Sequence, residues 1–304
     1  MKKILIGGGT GLIGQRLVEL IDHKQYELAI LSRRKRADDK VNYLVWNPSA
    51  GTMDLEGYKP DIVINLTGAG IADKLWTKKR KEELISSRVK STALLQQAIE
   101  NKEINPDVFF SASAVGYYGN RGEEKLTEKS PAGDKDSFLV HCCQLWEDAV
   151  DKITPLVPRV IKFRIGIVLS TKGGALEKIL LPMNFGIAGY FGSGKQYYSW
   201  IHIDDVCRSI IHLIEDKNAA GIYNGVGPSP MPLKQMTVGI KEGLQKWALV
   251  LPVPAFLLKL VMGEMSTMLL NSTRVIPNRL IVEGYEYAFP KIETAVADLK
   301  VHQK

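Results

Sequence analysis

Strand-length apolar runs alternate with longer amphipathic segments through the first two-thirds of the chain. "KILIGG" at the start is followed by "LIGQRLVELIDH", where apolar residues recur at helical spacing. "YELAILSR", "NYLVWN" and "DIVINLTG" read as strands, and a long helix is predicted from about Lys78 to Glu100. "DVFFSASAVG" then reads as a strand, "SFLVHCCQLWEDAVD" as a helix and "RVIKFRIGIVLS" as a strand. Strands that are apolar almost throughout must be covered on both faces, so the alternation predicts a parallel sheet between two helix layers. That is an α/β doubly wound fold, with ligands expected at the carboxyl ends of the strands.

After Ser170 the texture changes. "TKGGALEKILLPMNFGIAGYFGSGKQ" is rich in Gly and reads as loop, and "YYSWIHIDDVCRSIIHLIED" returns to a strand and a helix. From "GIYNGVGPSPMPLKQM" onward, closely spaced prolines and short helices continue to the end. The expected division is therefore residues 1–168 with 198–225 as the main domain, and 169–197 with 226–304 as a smaller C-terminal α/β domain. Within 253–270, Phe256, Leu257, Leu260, Val261, Leu269 and Leu270 recur at roughly helical spacing. Such a stripe is expected to pack onto the parent domain, the alternative being a partner surface.

Composition narrows the classes. The 304 residues are 45% apolar and 24% charged, which is ordinary globular usage. The net charge of +7 is dispersed, with local clusters only in "SRRKR" and "TKKRKEE", so no nucleic-acid partner is expected. Cys142, Cys143 and Cys207 show no metal-site spacing and no disulfide framework, which points to a reducing cytoplasm and to no metal. The apolar stretch 247–262 is interrupted by Pro252, Pro254 and Lys259 and is too short for a bilayer span, so no membrane partner is expected.

"GGGTGLIG" places Gly8, Gly11 and Gly14 in a G-x-x-G-x-x-G spacing, with Thr10, Leu12 and Ile13 between them, directly after a strand and opening a helix. Glycines permit the tight turn and let backbone approach a pyrophosphate, whose charge then sits at the positive end of the helix dipole. This is a dinucleotide site. At the end of the second strand, NAD-selective proteins place a carboxylate for the ribose 2′-hydroxyl. Ser32, Arg33 and Arg34 stand there instead, and a guanidinium suits a 2′-phosphate. The expected cofactor is NADP(H) in preference to NAD(H).

In order along residues 1–230 come the glycine loop, "NLTGAG" (65–70), "FSASAVGYYG" (110–119) and "SWIHIDDV" (199–206). With these motifs the chain resembles the extended short-chain dehydrogenase/reductase superfamily, whose fold is the NAD(P)-binding Rossmann fold. It is most similar to its epimerase-like branch, NAD-dependent epimerase/dehydratases often labelled nucleoside-diphosphate-sugar epimerase or SulA-like cell-division inhibitor. "SSRVKSTALL" (86–95), "FLVHCCQLWE" (138–147), "RIGIVLSTKGGAL" (164–176) and "GIYNGVGPSP" (221–230) carry the closer likeness, and the tail looks like the branch's own C-terminal domain of unknown function. The resemblance implies that Leu66, Thr67, Gly68 and Ala69 form a second cofactor loop, and that a homodimer is a fair expectation.

The superfamily uses a Tyr as acid/base, a Lys one helical turn later to lower its pKa, and an upstream Ser or Thr on the substrate oxygen. Ser113 matches the serine. Aligned on Glu147, however, Leu139 occupies the Tyr position and Cys143 the Lys position. Cys143 lies on an apolar helix face and reads as a buried hydrophobe, and His141 as a surface histidine. Replacement proton donors would come from Tyr117 and Tyr118 in the loop after Ser113, with Arg164 and His202 as candidates to orient substrate. Asp204 and Asp205 read as N-capping carboxylates. Two functions follow: an NADP(H)-dependent oxidoreductase or epimerase acting on a small polar or nucleotide-linked substrate, or a cofactor-binding regulator without catalysis.

Overall fold

A computed structural model describes residues 1–301. The first half runs β1 (Lys2–Gly7), α1 (Leu12–Leu20), β2 (Tyr26–Ser32), β3 (Asn42–Asn47), β4 (Thr52–Met53), β5 (Ile62–Asn65), α2 (Lys78–Glu100), β6 (Val108–Ala114), β7 (Lys125–Leu126), α3 (Phe138–Asp151) and β8 (Arg159–Ile165). It continues through β9 (Ile167–Leu169), α4 (Ala175–Met183), β10 (Ile187–Phe191), β11 (Tyr197–Tyr198), β12 (Trp200–His202), α5 (Ile203–Glu215) and β13 (Gly221–Gly225). The tail comprises β14 (Met231–Pro232), α6 (Leu233–Gly243), β15 (Leu249–Val253), α7 (Ala255–Met262), α8 (Thr267–Leu270), β16 (Arg274–Val275), α9 (Asn278–Val282) and α10 (Ile292–Val301).

Eight strands form the central sheet in the order β13-β8-β6-β5-β1-β2-β3-β4. Every pairing is parallel except the short β3–β4 hairpin. The order reverses direction at β1, which has β2 on one side and β5 on the other, so a crevice opens there at the carboxyl edge. The apolar runs are explained by burial on both faces: Ile4 and Ile6 enter one core cluster, while Leu5 enters the other with Leu94, Leu95 and Trp146. Each such side chain contributes about 1.5–3 kcal/mol through burial.

Several sequence expectations change. The Gly-rich stretch after Ser170 contains a helix, α4, whose Leu176, Leu180 and Met183 are buried one turn apart. The flanking glycines masked that period. The predicted strand "RVIKFRIGIVLS" breaks at Gly166, where an added Cβ would stand 2.4 Å from the Ser199 carbonyl oxygen. Beyond it β9 leaves the main sheet and pairs with β12. Asp204 and Asp205 are in the first turn of α5 but are not its cap: His202 Nδ1 accepts from the Asp204 N–H at 3.1 Å. Asp204 instead takes Arg16 of α1 through two bonds, at 2.7 and 2.8 Å. Asp205 accepts from the backbone N–H groups of Ala288 and Phe289, both at 2.9 Å, and so straps the tail to α5.

The tail crosses back over the main sheet. β16 pairs with β7, and Asn224 Nδ2 donates to the Ile276 carbonyl at 3.0 Å. α6 packs against α10, and β10 pairs with β15. The stripe expected to pack onto the parent domain divides: α7 buries none of its residues, and Phe256, Leu260 and Val261 are exposed. Among the described residues no helix is long and apolar enough to cross a membrane.

Candidate functional site

The glycine loop joins β1 to α1 in the crevice between β1 and β5. Gly8 has φ +79°, and a Cβ there would lie 2.7 Å from the carbonyl carbon and oxygen of Leu66. Gly14 has even less room, since its Cβ would stand 2.4 Å from the Gly8 oxygen. The loop is thus pressed against the second cofactor loop on one side and the first turn of α1 on the other. Gly11 caps α1 without a side-chain bond, and no acidic residue stands in the first turn. The helix N–H groups and their dipole are left for an anion.

The second loop is shaped by Asn65 at the end of β5. Its Oδ1 accepts from Thr67 N–H at 3.1 Å and its Nδ2 donates to Thr92 Oγ1 at 3.2 Å. Thr67 Oγ1 is buried without a protein partner among the described residues. A buried hydroxyl left unpaired costs about 1–3 kcal/mol, which a bound polar ligand would recover. At the end of β2, Ser32 is buried and accepts weakly from Arg34 N–H at 3.4 Å, while Arg33 and Arg34 are exposed and enter no ion pair among the described residues. The cradle and the unpaired Thr67 hydroxyl fit a dinucleotide, and the turn after β2 carries two exposed guanidinium groups beside them.

Further along the carboxyl edge, the candidate catalytic residues fall into two groups. Ser113 at the end of β6 donates to Glu147 Oε1 at 2.7 Å. Arg164 at the end of β8 donates from Nε to the same oxygen at 2.8 Å and from Nη2 to Oε2 at 2.7 Å. Its Nη1 donates to Tyr118 Oη at 3.0 Å, and Tyr118 donates to Asn224 Oδ1 at 2.7 Å. Ser113, Glu147, Arg164, Tyr118 and Asn224 are all buried, and the Tyr117 ring lies over the Arg164 guanidinium with its centroid 3.4 Å away. Burial pushes the Tyr118 phenol up while the Arg164 charge opposes it. Burial pulls Arg164 down, but the Glu147 bonds outweigh it and hold the guanidinium above its ordinary value. The geometry makes this a load of mutually satisfied buried polar groups.

Beside that network is a cavity of about 230 Å³. Its walls come from Ala114 at the end of β6 and Gly116 beyond it, Leu139, Cys143 and Trp146 of α3, Ile165 and Ile167 at the β8–β9 break, and Met268 and Asn271 of the tail. Leu139 and Cys143, at the positions of the superfamily's Tyr and Lys, therefore face the cavity, whereas Ser113, Tyr117 and Tyr118 belong to the layer behind it. Burial pushes the Cys143 thiol far up, so it stays protonated. His141 is exposed, as the helix period predicts.

His202 is elsewhere. It is buried against Phe289, ring centroids 4.0 Å apart, with Nε2 3.4 Å from Asp298 Oδ2, a distance long for a hydrogen bond. Burial pulls its pKa down to about 4, so the ring is neutral and serves as the α5 cap. It does not line the cavity.

Sequence reasoning missed Arg88, which lines the cavity and is its charged residue. Arg88 sits on the face of α2 that also carries the buried Leu84, Ser91 and Leu95. A cation interrupting an apolar stripe was the available signal. The partnership of Glu147 with Ser113 and Arg164 was also missed, since it joins three separate elements.

Comparison with known proteins bears on this geometry. The model of the NAD dependent epimerase/dehydratase family matches residues 4–138, and that of a domain of unknown function, DUF1731, matches 253–299. The epimerase family protein SERP0438 of Staphylococcus epidermidis is 36% identical over 98% of this chain and 99% of its own length. The crystal structure of human epimerase family protein SDR39U1 (isoform 2) with NADPH is similar at 30% identity, covering 98% of each chain with a TM-score of 0.87. A nucleoside-diphosphate sugar epimerase from Corynebacterium glutamicum is 28% identical with a TM-score of 0.75, over 97% of this chain and 57% of its own. The chain belongs to the NAD dependent epimerase/dehydratase family, in the group that carries this domain of unknown function.

Proposed function

We propose that the protein binds NADP(H) in preference to NAD(H) and uses it in an oxidoreductase or epimerase reaction on a small substrate held in the cavity beside Leu139 and Cys143. The carrying observation is the turn Ser32-Arg33-Arg34, which ends β2 next to an uncapped glycine-loop helix and offers two exposed guanidinium groups and no carboxylate. Gly8, Thr10, Gly11, Leu12, Ile13 and Gly14 would hold the pyrophosphate, and Leu66, Thr67, Gly68 and Ala69 would close over it. The cofactor, when bound, supplies or accepts a hydride at its nicotinamide. NADPH in the human relative supports the same choice here.

Leu139 and Cys143 give the cavity no side-chain proton donor of the usual kind. Ser113 has committed its proton to Glu147, although its oxygen still has a lone pair to offer. Any proton a reaction needs would therefore come from Tyr197 on the cavity wall, from Tyr117 behind it, from relay through the Ser113–Glu147 pair, or from solvent. The apolar wall favours a compact ligand over a large charged one.

Cofactor fluorescence titration tests the reading. Tighter binding of NADPH than NADH is expected, and Arg33→Ala with Arg34→Ala should cost about tenfold or more in NADPH affinity, each charge-assisted contact being worth about 1.5–3 kcal/mol. NADH binding as tightly as NADPH would overturn it. A cofactor-binding regulator is the second reading, favoured by the hydroxyls of Ser113 and Tyr118 being bonded within the buried network. Unchanged turnover in Ser113→Ala and Tyr117→Phe would remove those residues from catalysis.

A further inference from the structure

Arg88 is the charged residue of the cavity wall, and like Arg159 and Arg274 it is partly buried without an ion pair among the described residues. Arg16 is paired with Asp204, Arg80 with Glu83 and Arg164 with Glu147, but Arg88 enters no ion pair among the described residues. Its guanidinium packs against Gly68 of the second cofactor loop, where a Cβ would meet Arg88 Cζ at 3.0 Å. Nη1 donates to the Leu84 carbonyl at 2.8 Å and Nη2 to the Ala69 carbonyl at 3.2 Å. The Trp146 ring lies beneath it, with Cζ 5.0 Å from the centroid. These contacts fix the planar group at the cavity wall and leave the rest of its donor fork without a partner among the described residues.

A fixed guanidinium in an apolar cavity is a costly arrangement unless an anion completes it. The other lining residues offer an apolar surface from Ile71, Leu139, Ile165, Ile167 and Met268, neutral polar groups from Tyr197, Tyr198, Ser199, Thr267, Asn271 and Thr273, and no carboxylate. A planar fork matches a carboxylate through paired bonds better than it matches a neutral oxygen. We propose that the cavity binds a small organic acid, an apolar body carrying one carboxylate, with Arg88 as the residue that reads the carboxylate. This rests on the cavity being the substrate site and names its ligand class. Arg88 is a specificity residue in this scheme, placed on α2 where it can also feel a nucleotide in the neighbouring loop.

Hexanoate and its neutral counterpart hexanamide are suitable probes, titrated against the full-length protein with and without NADPH, by calorimetry and thermal shift. Hexanoate should bind at least about tenfold more tightly than hexanamide, and the difference should shrink with added salt. Arg88→Met keeps the packing on Trp146 and should abolish the preference while hexanamide binds as before. Arg88→Lys, which keeps the charge, should retain part of it and covers the case in which Arg88→Met fails to fold. Equal binding of the two probes, or no binding of either at millimolar concentration, overturns the proposal. So does a loss of NADPH affinity in Arg88→Met with the acid preference intact, which would make Arg88 a cofactor contact. Failure of NADPH to bind the native protein would strike the proposed function alone, since the acid titration is read without cofactor as well.

Discussion

Replacing Glu147 with methionine leaves Arg164 buried with its charge and without its counter-ion. The side chains are 1% and 6% exposed, so solvent cannot take over the lost partner. Breaking such a pair costs about 3–5 kcal/mol, and Ser113, which also loses its acceptor, adds about 1 kcal/mol. Against a total stability of about 5–15 kcal/mol, Glu147→Met should be marginally folded. The double variant Glu147→Met with Arg164→Met removes both charges and fills the space with apolar groups of similar length. It leaves only the Ser113 and Tyr118 hydroxyls short of a partner, at about 1 kcal/mol each. The double variant should therefore be more stable than Glu147→Met by about 2–4 kcal/mol, an inversion that additive losses do not give. Urea denaturation with matched slopes measures it. A double variant less stable than Glu147→Met would refute the picture of a sealed, charge-balanced network.

Gly8→Ala places a Cβ 2.7 Å from the Leu66 backbone and should lower both stability and NADPH affinity, the latter by about tenfold or more. Gly51→Ala, also at positive φ but with open space around it, should cost about 1–2 kcal/mol in denaturation and leave NADPH binding unchanged. His202 has a folded pKa of about 4 against 6.5 unfolded, so the unfolded chain takes up a proton first as pH falls. Its contribution is whole above pH 6.5, falls between 6.5 and 4, and amounts to about 3 kcal/mol; His202→Gln should flatten that part of a stability-versus-pH curve, and an unchanged slope would contradict the assignment. Cys143 should resist alkylation at pH 8 until the protein unfolds, and rapid labelling of the folded state would contradict its burial.

The sheet was readable because burial on both faces leaves an unbroken apolar run, as in β1, β5 and β6. The glycine turn was readable because its demands are local: a positive φ at Gly8 and close backbone at Gly14 admit few residues. What failed did so partly through local masking and partly through long-range partners. α4 was hidden by the glycines around it, and the break at Gly166 is imposed by the Ser199 carbonyl far along the chain. His202 displaced Asp204 and Asp205 from the cap because Arg16 and the Ala288–Phe289 backbone claim those carboxylates. α7 kept its apolar period without a covering surface, and period alone cannot tell a buried face from an exposed one.

The same logic joins Leu139, Cys143 and Arg88 into one arrangement. Position 143 faces a turn so close that a Cβ on Gly116 would stand 3.4 Å from both Cys143 Sγ and Leu139 Cβ. A lysine there would need to bend into the cavity, where its ammonium would meet the Arg88 guanidinium across apolar walls. Two like charges in one poorly solvated space repel strongly, and Glu147, the nearest carboxylate on α3, is already committed to Arg164. The cavity holds one cation, and in this chain it comes from α2. Leucine and cysteine on α3 are then the residues that leave the room and the low polarity in which a single guanidinium acts most strongly on whatever enters.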